Sequence, residues 1–282
     1  MATNMKSPAG TLLLAMTLFQ TDAEPAQIGR YTAVNGLKMY YEIHGSGKPL
    51  VLIHGGGSTI ESTFGRVLPE LAKTHQVIAV ELQAHGRTLD IDRPLSFEQD
   101  ADDVAALLKQ LKIEKADIMG FSNGGTTALQ ISIRHPQLVN KLVLLSAAYK
   151  RSGMPPGFFE GFQGASLEKM MPQALKDAYL KANPDPKGLQ KMFDRDVARM
   201  VAFQDISDSQ IKAIQPHALV VNSDADVVRP EHALELSRTL PHAQLAILPG
   251  GHGEFIGEIC STKKNSKIPM LVTAMIEEFL NE

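Results

Sequence analysis

One cysteine, Cys260, stands among 282 residues, so no internal disulfide holds this chain together. No Cys/His group has the spacing of a zinc site. Charge of one sign is equally scarce. The 28 Lys+Arg and 31 Asp+Glu leave a net charge of −3, and no long basic run occurs, which argues against a nucleic-acid partner. No apolar run reaches the roughly 18 residues that cross a bilayer. What is there is an ordinary globular composition, 44% apolar and 21% charged, long enough to bury a substantial core.

Residues 1–23 differ from the rest. Lys6 precedes an apolar stretch over 10–19, and Thr21-Asp22-Ala23 places small residues before a possible cut at Glu24. This reads as a short secretory signal and implies a periplasmic or secreted protein. The alternative is a frayed helical tail on a cytoplasmic one.

Short, nearly continuous apolar runs recur at 50–53, 77–80, 118–121, 142–145, 219–221 and 245–248. Continuity rather than alternation suits strands covered on both faces of a parallel sheet. Between them lie helical patterns. Val104, Leu107, Leu108 and Leu111 share one helix face, as do Val272, Met275, Ile276 and Phe279. Ahead of these, 31–34 and 37–44 flank Asn35-Gly36, the dipeptide of a tight hairpin turn. The expected fold is α/β, a mostly parallel sheet with an N-terminal antiparallel hairpin and helices on both faces.

About seventy residues separate Ser146 from Leu219, too long for a plain loop. The insert, 150–216, carries five of the twelve methionines and five of the eleven phenylalanines. Pro155-Pro156-Gly157 and Asn183-Pro184-Asp185-Pro186 punctuate it into two or three short helices. It is expected to form a small helical cap over a pocket, on a core of 24–149 and 217–282. Flexible Met and flat Phe make an adaptable apolar wall, although most of these side chains are expected to pack the insert onto the sheet.

The run at 118–121 leads directly into Ser122-Asn123-Gly124-Gly125 and a helix expected over 126–135, which places Gly120-Phe121-Ser122-Asn123-Gly124 at a strand-to-helix junction. Such a turn points the serine hydroxyl outward, and side chains at Gly120 and Gly124 would collide with their neighbours. The following helix offers its first amides to a developing negative charge, Asn123 N–H foremost. The glycine loop in His54-Gly55-Gly56-Gly57, after the run at 50–53, can bring a second backbone N–H to face the serine. His54 itself is read as a structural hydrogen-bonder. A serine needs a base. His252, in Gly250-Gly251-His252-Gly253, follows the run at 245–248 and sits at the correct strand end, whereas His242 and His75 precede their strands. His85 is kept as a supporting or pocket residue. The base in turn needs a carboxylate. Asp224 and Asp226 follow the run at 219–221, and Asp226 is preferred with Asp224 left open. No acid follows the run at 142–145, where Ser146-Ala147-Ala148 stands.

With these motifs the chain resembles an α/β-hydrolase over about residues 29–282. The resemblance rests on His54-Gly55-Gly56-Gly57, Ala84-His85-Gly86-Arg87, the serine turn, the Asp226 segment and Gly251-His252. It implies Ser122 as nucleophile, His252 as base, Asp226 as its partner, the Gly56 and Asn123 amides as oxyanion donors, and no cofactor or metal. Gly55, Phe121, Met154, Phe158 and Phe159 are the expected substrate contacts. The implied activity is hydrolysis of a small-molecule ester or lactone, similar in outline to capped esterases that open macrolides. Alternatives on the same residues are a proline-type aminopeptidase, with Glu160 and Glu168 holding a free amine, a C–C bond hydrolase, and a cofactor-free perhydrolase or haloperoxidase. A rival of another class is a receptor that holds a small ligand without turnover.

Overall fold

A computed structural model describes residues 1–2 and 29–282. The expected secretory segment lies outside the described residues apart from its first two.

From residue 29 the chain forms the expected hairpin, β1 (Gly29–Val34) and β2 (Leu37–His44). Asn35 and Gly36 take positive φ of 47° and 83°, as a two-residue hairpin turn requires. There follow β3 (Lys48–Ile53), α1 (Ile60–Phe64), α2 (Leu68–Leu71), β4 (His75–Glu81), α3 (Phe97–Gln110), β5 (Ala116–Phe121), α4 (Asn123–Arg134) and β6 (Val139–Leu145). Between β6 and β7 (His217–Ser223) run α5 (Leu167–Met170), α6 (Gln173–Ala182), α7 (Pro186–Val201) and α8 (Asp208–Lys212), with short 3-10 turns ahead of them. The chain closes with α9 (Pro230–Thr239), β8 (Ala243–Leu248) and α10 (Ile268–Asn281).

Two details differ from expectation. The helix after the serine starts at Asn123 rather than Thr126, directly on the turn. The insert is not made of short helices alone, since α7 runs for 16 residues. The Asp185-Pro186 pair read as punctuation starts that helix. Asp185 accepts the Lys187 N–H at 2.9 Å as N-cap, and Pro186 stands at the first helical position, where its missing N–H costs nothing.

The eight strands among the described residues form one sheet in the order β1-β2-β4-β3-β5-β6-β7-β8, parallel throughout except for β2, which runs antiparallel to both neighbours. This is the α/β-hydrolase architecture the sequence implied. Both faces are covered. Val51, Ile53, Ile78, Ile118 and Leu144 pack on one side with Leu107 of α3, Leu129 of α4 and Leu236 of α9. Leu50, Leu52, Ala79, Met119 and Val143 pack on the other with Phe64 of α1, Leu71 of α2 and Ile276 of α10. The apolar runs are continuous because successive side chains enter opposite cores. Strand β8 departs from this at the sheet edge, where Leu245 and Ile247 are exposed. Among the described residues no helix is long and apolar enough to cross a membrane.

The strand order also fixes where distant segments meet. Strand β3 lies between β4 and β5, and Ile53 is in register with Gly120, so the loop after β3 and the turn after β5 emerge side by side. This is the crevice where sheet order reverses and ligands bind in open α/β sheets. Ser223 of β7 is in register with Leu248 of β8, which brings the loops carrying Asp226 and His252 together.

Candidate active site

Ser122 adopts φ 53° and ψ −119° between β5 and α4, a conformation that side chains rarely take and that costs on the order of 1–3 kcal/mol. The surrounding glycines permit it. A Cβ on Gly120 would stand 2.1 Å from the Gly124 carbonyl oxygen, and one on Gly124 would stand 2.1 Å from the Ile53 carbonyl oxygen. The strand, turn and helix therefore close on one another with no room for a methyl group. Asn123 N–H donates to no other described residue.

On the neighbouring loops, the His252 Nδ1–H donates to Asp226 Oδ1 at 2.7 Å. That bond leaves the Nε2 lone pair free. Asp226 is held from two further directions, by the Val228 N–H at 2.9 Å on Oδ1 and by the Ser146 hydroxyl at 2.6 Å on Oδ2. Burial alone would push the carboxyl up, but the His252, Ser146 and Val228 donors outweigh it and hold it below the usual carboxylate range. Asp224 does different work, accepting the Gly250 N–H at 2.9 Å and bracing the loop that carries His252. The imidazole lies against the Phe121 ring with centroids 4.7 Å apart. Ser122 and His252 line one cavity. No direct hydrogen bond joins them, a gap that sites of this kind commonly close only around substrate.

The three glycines after β3 answer to three different constraints. A Cβ on Gly55 would press on the Phe121 ring at 3.1 Å, and one on Gly56 would meet Asn123 Nδ2 at 2.5 Å. Gly57 alone needs positive φ, at 66°. The Gly56 N–H donates to no other described residue and its residue lines the cavity, whereas the Gly57 N–H is already taken. Its nearer acceptor is Asp196 Oδ2 at 2.7 Å, from α7, and His85 Nε2 stands 3.3 Å from the same N–H. His85 donates its Nδ1–H to the Gln83 carbonyl at 2.8 Å and places Nε2 3.0 Å from the same Asp196 oxygen. Burial would lower the His85 pKa, but the Asp196 carboxylate outweighs it and the net shift is upward. Asp196 is held well below the usual range. Its burial opposes this, and the Arg199 and His85 charges overcome it. His54 is buried and neutral, donating Nδ1–H to the Gly55 carbonyl at 2.7 Å and accepting the Leu82 N–H at 3.1 Å. Burial pushes its pKa down to about 3.

The cavity measures about 530 Å³, within the range that holds a drug-sized ligand. Its floor is Gly56, Ser122, Asn123 and His252, and its wall from the insert includes Met154, Phe158, Met171 and Phe193. Of the expected substrate contacts, Met154 and Phe158 line it. Phe121 lies beneath the imidazole, and Gly55 lies against Phe121. Phe159 is buried instead in a satellite cluster with Phe97, Met200 and Phe203. Glu160 pairs with Arg151 at 3.1 Å and Glu168 with Lys176 at 3.2 Å, both outside the cavity lining. Cys260 is exposed. Partial burial of its sulfur and the Glu258 carboxylate push the thiol up to about 12. Two residues of the site carried no sequence signal, Asp196 and Ser146, because neither stands in a motif.

A family profile described as alpha/beta hydrolase fold matches residues 48–186. The chain is 28% identical over 245 residues to the 2-hydroxymuconate semialdehyde hydrolase of Pseudomonas sp. (strain CF600), covering 78% of this chain and 86% of that one. Among solved structures it superposes on the meta-cleavage product hydrolase of Pseudomonas fluorescens IP01 with a TM-score of 0.72 at 24% identity, over 89% of this chain and 98% of that one. It superposes likewise on Est816, described as an N-acyl homoserine lactone degrading enzyme, with a TM-score of 0.69 at 25% identity, over 89% and 100%.

Proposed function

The chain belongs to the α/β-hydrolase superfamily, and on that premise we propose that it is a serine hydrolase cleaving a carboxylic ester or lactone through an acyl-enzyme. The observation that carries the reading is the 2.7 Å His252–Asp226 bond on the loops beside a serine held at φ 53°. Ser122 Oγ attacks the carbonyl carbon as His252 Nε2 takes its proton. The Gly56 and Asn123 amides receive the oxyanion. Collapse expels the alcohol, which takes the proton from His252. Water, deprotonated by the same nitrogen, then attacks the acyl carbon and releases the acid and Ser122. Asp226 fixes the tautomer and supports the imidazolium. In a lactone the alcohol and acid stay in one molecule, whose mass rises by one water.

Residues 150–216 act in this reading as the cap, and their Met and Phe wall suits a bulky apolar acyl or alcohol part, with a macrolide-type lactone as the finer candidate. The named C–C hydrolase relative supports a second reading, hydrolysis of a meta-cleavage dienoate. Against it, the described residues lining the cavity include no lysine or arginine; Asp196 and His252 are their titratable groups. A substrate carboxylate would be desolvated there with no cation to offset the loss. The test is a panel of p-nitrophenyl esters, lactones, macrolides and a dienoate, with wild type and Ser122→Ala. Sustained ester or lactone turnover that falls at least 10⁴-fold in the variant is expected. Ester turnover unchanged in Ser122→Ala, a preference for the dienoate, or a single burst followed by a stall would overturn it, the last in favour of a receptor.

A further inference from the structure

Asp196 reaches the floor of the cavity from the opposite side of the molecule's sequence. It belongs to α7 in the excursion between β6 and β7, yet its Oδ2 accepts the N–H of Gly57 in the loop after β3. The carboxylate is itself anchored. Arg199, one turn further along α7, bonds its Oδ1, and the other guanidinium nitrogen bonds Asp100 Oδ2 of α3 at 2.7 Å. Arg199, Asp100 and His85 are all buried. A continuous line of buried charge therefore runs from α3 through α7 to the glycine loop. Such groups contribute little net stability after desolvation, but removing one leaves its partners uncompensated, so their value lies in fixing one geometry.

The geometry fixed here is that of the glycine loop. Three glycines in succession leave the backbone free to turn either face of a peptide toward the cavity. The Gly57 N–H to Asp196 bond settles the orientation of the peptide between Gly56 and Gly57, and Asp196 Oδ2 also lies 3.3 Å from where a Gly56 Cβ would stand. We propose that Asp196 is a positioning residue for the oxyanion loop: it holds the peptide after Gly56 through the Gly57 N–H, as His54 holds the peptide before it through the Gly55 carbonyl, so that the Gly56 N–H stays turned to the cavity. The inserted helix α7 thereby becomes part of the hydrolytic machinery as well as its wall. The claim rests on the serine hydrolase reading and adds to it a residue that acts through the backbone rather than on the reacting atoms.

The test compares wild type, Asp196→Ala, Asp196→Asn and the control Glu168→Ala, whose side chain is exposed on the same insert. Each is assayed with p-nitrophenyl acetate, with kcat taken per serine titrated by a fluorophosphonate, and the rate of phosphonylation is measured alongside. Loss of one oxyanion donor lowers rates about 10²–10³-fold, so Asp196→Ala is expected to lose about 10²-fold in kcat and in phosphonylation rate, with KM within about threefold. Asn is isosteric but must present its NH₂ either to the Gly57 N–H or to Arg199, and is expected to lose at least tenfold. Glu168→Ala keeps wild-type values. A merely structural role would reduce the number of titratable sites and leave kcat per site unchanged. Per-site kcat within twofold of wild type in Asp196→Asn, which keeps the side chain's volume if the alanine variant fails to fold, overturns the proposal. So does a rise in KM with kcat intact, which would make Asp196 a substrate contact. If wild type neither hydrolyses the ester nor labels at Ser122, the hydrolase reading itself has failed and the positioning claim falls with it.

Discussion

Both oxygens of Asp226 are occupied, and Ser146 holds the one that His252 does not. Ser146 sits at φ 47°, a second non-glycine residue in left-handed backbone at the end of a central strand. Its hydroxyl bonds Oδ2 at 2.6 Å. Without it that oxygen is buried with one donor fewer, which costs on the order of 1–3 kcal/mol and frees the carboxylate to rotate. Ser146→Gly and Ser146→Ala are both expected to lower kcat about tenfold with little change in KM on a short ester. Glycine relieves the backbone strain and alanine keeps it. A glycine variant with full activity would show that the turn matters and the hydroxyl does not. The contrast with Ser122, His252 and Asp226 is instructive. Those three stand in short patterns at strand ends and can be read from order alone. The Ser146–Asp226 bond spans 80 positions and the Asp196–Gly57 bond spans 139. Each depends on which strands become neighbours, and no local pattern records it. Phe159 failed to reach the cavity for a related reason. It neighbours Phe158 in sequence, but the two rings meet nearly at right angles, 88°, and point to different places.

At the scale of elements, the strands were legible because each apolar run is bounded by the turn that ends it, and the sheet's two cores account for their continuity. The insert was legible as helical and Met/Phe-rich, but its internal arrangement was not. Proline reads as a stop, and here Pro186 begins the longest helix among the described residues. The wall that this insert provides yields a direct expectation. Phe158 lines the cavity together with Met154 and Phe162. Burial of a phenyl ring against substrate is worth about 1.5–3 kcal/mol. Phe158→Ala is therefore expected to raise KM for an octanoate ester about tenfold or more while changing that for an acetate less than threefold. Equal KM changes for the two esters would show that the ring packs the insert and does not meet the acyl chain.

Over the whole molecule, ionisation links stability to pH through groups far from the cavity as well as near it. His232 of α9 is buried against Tyr149, with ring centroids 4.6 Å apart, and accepts the Tyr149 N–H at 3.1 Å. Burial pushes its pKa down to about 4; His54 beneath the glycine loop behaves alike, at about 3. The folded protein keeps both rings neutral while the unfolded chain protonates them below about 6.5. The unfolded state therefore binds more protons in that window, and stability falls as pH drops from about 6.5 toward the folded values. Each ring is expected to withdraw on the order of 2 kcal/mol between pH 7 and pH 5. Thermal unfolding at the two pH values checks this. His232→Gln, which can still accept from Tyr149, is expected to start less stable at pH 7 and to lose less on acidification than wild type. An identical loss in both would place the acid sensitivity elsewhere.

The central claim is that one hydroxyl is activated by one imidazole, and covalent labelling reads it most directly. Wild type treated with a fluorophosphonate at pH 7.5 is expected to gain one phosphonyl mass, located by peptide mapping on Ser122, with no gain in Ser122→Ala and labelling at least 10³-fold slower in His252→Ala. Labelling at another residue, no labelling at all, or an undiminished rate in the His252 variant would contradict the account.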